Sequence, residues 1–256
     1  MSGHSKWATI KHKKAATDAR RGRMFTQLIK EITVAARVGG GDPDANPRLR
    51  KAIAAAKAEN MPADNIERAT QRGTGQLPGM TIEEVVLEGY GPGGVAVMVE
   101  VATDNRNRTV SEMRHIFSRF GGNLGESGCV AWLFSKKGHI TLPKEKVDED
   151  RLLGIVVDAG ADDLRDDGTN WEILTPPERL EAVRQALEKS NLAPATAEVT
   201  LLPQNTVRLE GGNAQQLLRL LEAIEEHEDT QKIHSNFDIP DQIFQEAMAA
   251  SETSLS

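Results

Sequence analysis

Basic side chains near the start of the chain have the types and the spacing to bind the phosphates of a nucleic acid. Arg23, Lys30 and Arg37 are seven residues apart, so on a helix they form one row. This row lies opposite an apolar stripe that includes Phe25 and Ile32. We predict that it contacts the nucleic-acid backbone; the alternative is a solvated helix face behind a solubilising tail. Further candidates precede the row in the chain: Lys6, Trp7, Lys11, Lys13, Lys14, Arg20 and Arg21.

The aromatic residue in this segment, Trp7, distinguishes two kinds of partner. It stands beside Lys6 in a polar stretch without periodicity. An exposed tryptophan stacks on unpaired bases, which folded RNA offers and an intact duplex does not. The alternative is that Trp7 packs against the helices that follow.

A second basic cluster consists of Arg106 and Arg108. Thr109 and Glu112 have the spacing of a capping box, which predicts a helix that begins just after the two arginines. Backbone N–H groups and the helix dipole favour anions at such a place. The cluster therefore fits a phosphate, and it fits equally well an ion pair with nearby acids.

No pattern in the chain indicates catalysis. The glycines of Gly89–Gly94 match the spacing of a dinucleotide-binding loop, but a β-branched run follows them where that loop requires a helix. Pro92 also removes one of the N–H donors, so we predict a hairpin turn. The six histidines lack metal-ligand spacing. The single cysteine, Cys129, lies in an apolar run to Phe134 that predicts a buried strand. We predict a non-enzymatic protein without a metal ion or a small-molecule cofactor.

Charge is unevenly distributed along the 256 residues, which carry a formal net charge of −7. Residues 1–80 hold 15 Lys and Arg against 7 Asp and Glu, whereas residues 81–256 hold 16 against 31. A basic end on an acidic body is typical of a protein that binds a polyanion. No apolar run approaches the ~18 residues of a membrane span and no secretory signal is recognisable, so we predict a cytoplasmic protein with no membrane partner.

The elements that must position the basic residues divide into a helical part and an α+β part. Periodicity predicts a helix over residues 15–38, a second from Pro47 to Asn60 capped by Asn46, and a third from Pro62 to Gly73. A glycine-rich linker precedes residue 82, where short β-branched runs begin to alternate with amphipathic helices.

The order of elements after residue 80 predicts an α+β fold: an N-terminal all-helical domain followed by two ferredoxin-like α+β domains, one inserted in the other. The expected domains are residues 1–78 with the basic arm, residues 79–135 plus 205–246, and the inserted residues 136–204.

Several long motifs resemble the YebC/PmpR family: Gly3–Trp7, Ile10-Lys11, Gly89–Ala96, Thr103–Thr109 and Ser235–Phe237. The resemblance extends from residue 2 to about residue 246. It implies a helical domain followed by two α+β domains, one inserted in the other. It also implies a bacterial cytoplasmic protein that is not an enzyme and that regulates transcription by binding DNA.

Three function hypotheses remain open at this stage. The leading one is a DNA-binding transcriptional regulator. The alternative is a ribosome-associated translation factor whose basic end contacts ribosomal RNA, since relatives of the family in mitochondria resemble translational activators. The third is a protein-interaction module. The sequence specifies neither the target nor the oligomeric state.

Overall fold

The computed structural model describes residues 18–79, 81–240 and 243, with side chains from residue 21 onward. Three helices come first: α1 (Asp18–Gly39), α2 (Pro47–Ala58) and α3 (Ala63–Gly73). As predicted, Asn46 caps α2, because its side chain accepts a hydrogen bond from the Leu49 amide, and Pro47 occupies the first turn. The same side chain donates to the carbonyls of Ala35 and Gly40, both at 2.8 Å. It therefore also fixes the turn that ends α1.

Small residues let these helices approach closely. Their shared core contains Ile32, Leu49 and Ile66 among several buried alanines. At the end of α3, a Cβ on Gly73 would lie 2.4 Å from the carbonyl oxygen of Thr33 in α1. Only glycine allows this contact between the two helices, because any side chain would overlap a backbone atom.

The first sheet follows the helices. Its strands are β1 (Glu83–Tyr90), β2 (Ala96–Thr103), β3 (Asn123–Leu124) and β9 (Thr230–Ser235), in the spatial order β3-β1-β2-β9. All neighbours are antiparallel. Two helices, α4 (Arg106–Arg119) and α7 (Gly211–Glu225), contribute to the core on one face of this sheet.

The second sheet lies between β3 and α7 in the chain. Its strands are β4 (Phe134–Pro143), β5 (Asp163–Asp166), β6 (Asn170–Thr175) and β7 (Thr196–Pro203), in the order β5-β6-β4-β7. Helices α5 (Glu149–Asp158) and α6 (Leu180–Lys189) contribute to its separate core.

The predicted fold class is confirmed: a helical part is followed by two α+β parts. The second sheet has the ferredoxin-like βαββαβ connectivity. The first sheet has the same antiparallel layout with two helices, but a hairpin joins its two central strands. In this hairpin, Gly93 and Gly94 have φ values of +71° and +78°. The glycine motif therefore forms a turn between strands, as expected, and no helix follows it.

Short elements and a small core connect the two sheets. Ala96 and Met98 on β2 pack against Val130, Leu133 and Phe134, which lead into β4. The two-residue strands β8 (Val207–Arg208) and β10 (Phe237–Asp238) form a parallel pair. Among the residues that the structure describes, no helix is long and apolar enough to cross a membrane.

Candidate nucleic-acid interface

Helix α1 packs on two sides, which changes the expected exposure of its basic row. One side joins the core shared with α2 and α3. The other side meets the end of the first sheet at the α7–β9 loop (residues 226–229). There the Gln27 side-chain amide donates to the carbonyls of Glu225 and His227, at 3.2 and 3.1 Å. Its backbone carbonyl accepts a hydrogen bond from Gln231 at 3.3 Å.

Lys30 is buried, so the prediction that its side chain belongs to an exposed basic row is wrong. Its ammonium group forms an ion pair with Asp229, whose side chain is fully buried. It also donates to the carbonyl of Glu228 at 3.4 Å. Lys30 therefore neutralises a carboxylate of the α7–β9 loop and holds α1 against the sheet.

The other two members of the row keep part of their surface. Arg23 lies 3.5 Å from Glu226, and both side chains are well exposed. Arg37 is exposed and donates to the backbone carbonyl of Ile82. An exposed ion pair of this kind contributes at most about 1 kcal/mol, so Arg23 can exchange Glu226 for a phosphate at little cost.

Arg106 and Arg108 lie in the first turn of α4, one turn earlier than the capping box predicts. Asn105 is the cap, and its side chain accepts from the Arg108 amide at 3.1 Å. Thr109 is buried inside the helix and its hydroxyl contacts Asp229 at 2.6 Å. The capping-box prediction is therefore wrong, because the helix begins three residues earlier, at the cap formed by Asn105.

The two arginines have different surroundings. Arg106 is exposed and has no hydrogen-bond or ion-pair partner among the described residues. Arg108 donates to Asp104 and Asp229, each at 3.0 Å. The sequence left two interpretations open for this cluster, a phosphate site or an ion pair with nearby acids. Arg108 forms the ion pair, whereas Arg106 remains available for an anion.

Asp229 is the centre of this polar cluster. Its two oxygens receive Lys30, Arg108 and Thr109. Burial alone would raise the pKa of Asp229, but the hydrogen bonds from these three residues lower it more, to about 2. The charged carboxylate therefore joins α1 to the start of α4 across the end of the sheet.

Several predicted contact residues lie beyond the described side chains. Arg20 lies in α1, but its side chain is not described, whereas Arg21 is exposed with its guanidinium 5.5 Å from the centre of the Phe25 ring. These residues stay predictions, as do those outside the described residues altogether: Lys6, Trp7, Lys11, Lys13 and Lys14.

Sequence reasoning missed two exposed features. Helix α4 carries Arg114 and Arg119 on its exposed surface. The sequence signal for this basic surface is the composition of the helix, which has four arginines and one acidic residue. Trp132 is 67% exposed, and its indole N–H donates to the carbonyl of Cys129 at 3.1 Å. That tryptophan lies in an apolar run that predicts a buried strand, so no sequence signal pointed to its exposure.

The described residues offer little for other chemistry. They contain no group of three or more His, Cys, Asp or Glu side chains that could hold a metal ion. Burial raises the pKa of the Cys129 thiol, with Glu88 adding to the effect, so this thiol is a poor nucleophile at neutral pH.

Comparisons with known proteins cover nearly the whole chain. Residues 5–76 match the family model described as TACO1/YebC protein N-terminal domain, and residues 82–237 match TACO1/YebC second and third domain. A protein of Acidobacterium capsulatum named "Probable transcriptional regulatory protein" is 62% identical over 239 residues, which are 93% of this chain and 97% of that protein. A protein of Syntrophus aciditrophicus with the same name is 54% identical over 250 residues, 97% of this chain and 100% of the relative.

A solved structure shows the same fold. The crystal structure of the conserved hypothetical protein Aq1575 from Aquifex aeolicus superposes with a TM-score of 0.77 at 50% sequence identity. The match covers 92% of this chain and 97% of the Aquifex chain.

Proposed function

Since the chain belongs to the TACO1/YebC family, we propose that it regulates transcription by binding DNA. The proposal is supported by the two relatives described above, which are named probable transcriptional regulatory proteins. The protein acts without catalysis and in the cytoplasm. Its basic N-terminal region contacts the phosphates of the duplex, and most of its acidic body faces away from them.

The observation that carries this proposal is the separation of charge. Residues 1–80 have a net charge of +8, and residues 81–256 have a net charge of −15. A phosphate backbone attracts the first region and repels the second, so the duplex has one preferred side on which to dock.

Contacts of this kind give affinity and orientation. Lysines and arginines on phosphates carry no direct information about base sequence. Because Lys30 and Arg108 are already paired with Asp229, they position α1 and α4 within the fold. We assign the phosphate contacts to the remaining bases that the sequence singles out: Lys6, Lys11, Lys13, Lys14, Arg20, Arg21, Arg23, Arg37 and Arg106.

A second candidate function is translation regulation through ribosomal RNA, and one feature favours it. The exposed ring of Trp132 is suited to stacking on an unpaired base, which duplex DNA lacks. Co-sedimentation with ribosomes that persists in excess duplex DNA would favour this candidate over the first.

Neutralising the lysines of the N-terminal arm tests the DNA proposal. The test variant replaces Lys6, Lys11, Lys13 and Lys14 by Gln. We expect its affinity for a random-sequence duplex to fall, and the slope of log K against log salt to become shallower by about 0.9 per lost contact. The measurement is a fluorescence-anisotropy titration at several salt concentrations.

A matched control separates local contacts from net charge. It makes the same change of charge at four exposed residues of the second sheet and its helices: Lys136, Arg151, Arg179 and Lys189. We expect this control to bind nearly as the unmodified protein does. Equal losses in the two variants would contradict a specific role for the arm.

A further inference from the structure

Helix α4 is a basic element within an acidic part of the chain. It contains four arginines and one acidic residue, Glu112, whereas residues 81–256 as a whole hold 31 acids and 16 bases. Glu112 is itself engaged, because His227 lies 2.8 Å from its carboxylate. The charge of α4 is therefore opposite to that of its surroundings.

The outward surface of this helix consists of side chains that donate hydrogen bonds. Met113 and Phe117 turn inward and are fully buried. The exposed positions opposite these two residues carry guanidinium, hydroxyl, amide and imidazole groups, and Glu112 lies at their border. We call them the α4 face: Asn107, Ser111, Arg114, His115, Ser118 and Arg119. Arg106 is exposed in the first turn, but it lies on the same side of the helix as Met113 and Phe117, so it adjoins this face only at its N-terminal end.

The arginines of the α4 face are free to bind a ligand. Within the described residues, neither Arg106 nor Arg114 has an ion-pair or hydrogen-bond partner. Arg119 places its guanidinium 5.5 Å from the centre of the Phe120 ring, a contact that leaves its N–H groups available. By contrast, Arg108 in the same helix is bound by Asp104 and Asp229.

The length of the α4 face suits an extended polyanion. Asn107 and Arg119 are 12 residues apart, which corresponds to about 18 Å along a helix. At about 3.4 Å per phosphate along each strand, this distance covers roughly five base pairs. Serine hydroxyls and arginine guanidinium groups are both ordinary phosphate ligands.

The start of α4 adjoins the helical domain. Arg108 in its first turn shares Asp229 with Lys30 of α1, so this end of α4 lies beside α1. The junction itself carries the exposed acids Glu226 and Glu228, so the α4 face is a site separate from the bases of α1.

From these observations we propose that the α4 face is a second phosphate-binding surface, which extends the path of bound duplex DNA along the first sheet's helical layer. The inference rests on the proposed function, because its ligand is the same duplex. It adds a contact site on a different domain, formed by Arg114 and Arg119, with Arg106 at its N-terminal end.

Charge reversal on the α4 face tests this site. The test variant carries Arg106→Glu, Arg114→Glu and Arg119→Glu in the full chain. Its control carries Lys136→Glu, Arg151→Glu and Lys189→Glu, which makes the same change in net charge at exposed residues of the inserted part. Binding to a random-sequence duplex is measured over a range of salt concentrations, and thermal unfolding is measured for both.

We expect the test variant to lose at least about tenfold more affinity than the control and to show a salt slope shallower by up to about 2.7, or about 0.9 for each of three contacts. Equal affinities in the two variants would overturn the site. If reversal lowers the melting temperature, Arg106→Gln, Arg114→Gln and Arg119→Gln replace it, with a smaller loss of affinity expected in the same direction.

The result is distinguishable from a failure of the proposed function. If the unmodified protein does not bind the duplex at low salt, both proposals are overturned. If it binds and the arm variant loses affinity, but the α4 variant matches its control, only the α4 face is overturned.

Discussion

Replacing Asp229 by Ala is expected to lower the free energy of unfolding by about 3–5 kcal/mol, because it leaves the buried ammonium of Lys30 without its counter-charge. Arg108 and Thr109 lose the same acceptor. Chemical denaturation in urea, followed by circular dichroism, measures the difference. Asp158→Asn is the control, since Asp158 is exposed and its replacement is expected to change stability by less than about 0.5 kcal/mol.

The same cluster predicts a loss of stability in acid. The pKa of Asp229 is lowered to about 2 in the folded protein, against about 3.9 for an unperturbed aspartate. Its contribution is therefore fully present above about pH 4 and is lost as the pH falls from there towards 2. The Asp229→Asn variant should lose less stability over this interval than the unmodified protein; an identical acid dependence would contradict the assignment.

Replacing Glu88 by Ala is expected to cost about 2–4 kcal/mol, because three backbone N–H groups lose one shared acceptor. The buried carboxylate of Glu88 on β1 accepts hydrogen bonds from the amides of Gly128, Val130 and Ala131, at 2.7 to 2.8 Å. These bonds fix the turn through which the chain leaves the first sheet for the second. Denaturation in urea again provides the measurement.

Glu126→Ala is the matched control for Glu88, because Glu126 is an exposed acid in the same segment. We expect it to be close to neutral. Burial alone would raise the pKa of Glu88, but the three N–H donors lower it more, so the Glu88 contribution is also lost on acidification. A Glu88→Ala protein as stable as the Glu126→Ala control would show that the turn does not depend on this carboxylate.

Local signals in the sequence predicted the helices and turns well. Asn46 and Pro47 mark the start of α2, and the glycines of Gly89–Gly94 mark the hairpin, because both features depend on backbone geometry within a few residues. The predicted strand from Cys129 to Phe134 is wrong, since the strand begins only at Phe134. Glu88, some 40 residues earlier, binds the amides of Val130 and Ala131, and this segment forms a turn with a short 3₁₀ helix at 131–133.

The candidate site was only partly predictable, for a related reason. A helical wheel shows that Lys30 lies opposite the apolar stripe of α1, and such a face is normally solvated. It does not show that Asp229, 199 residues later, buries that lysine. The same loop takes up Arg108, whereas Arg106 and Arg114 find no acid among the described residues. Only the three-dimensional arrangement distinguishes the basic residues that pair with internal acids from those that remain available to bind a phosphate.

The most direct test of phosphate-driven DNA binding is the salt dependence of the unmodified protein's affinity for a random-sequence duplex. We expect log K to fall linearly with log salt, and six or more phosphate contacts to cost about a thousandfold in affinity between about 50 and 200 mM salt. Absence of duplex binding at about 50 mM salt, or an affinity that does not change with salt, would contradict the account.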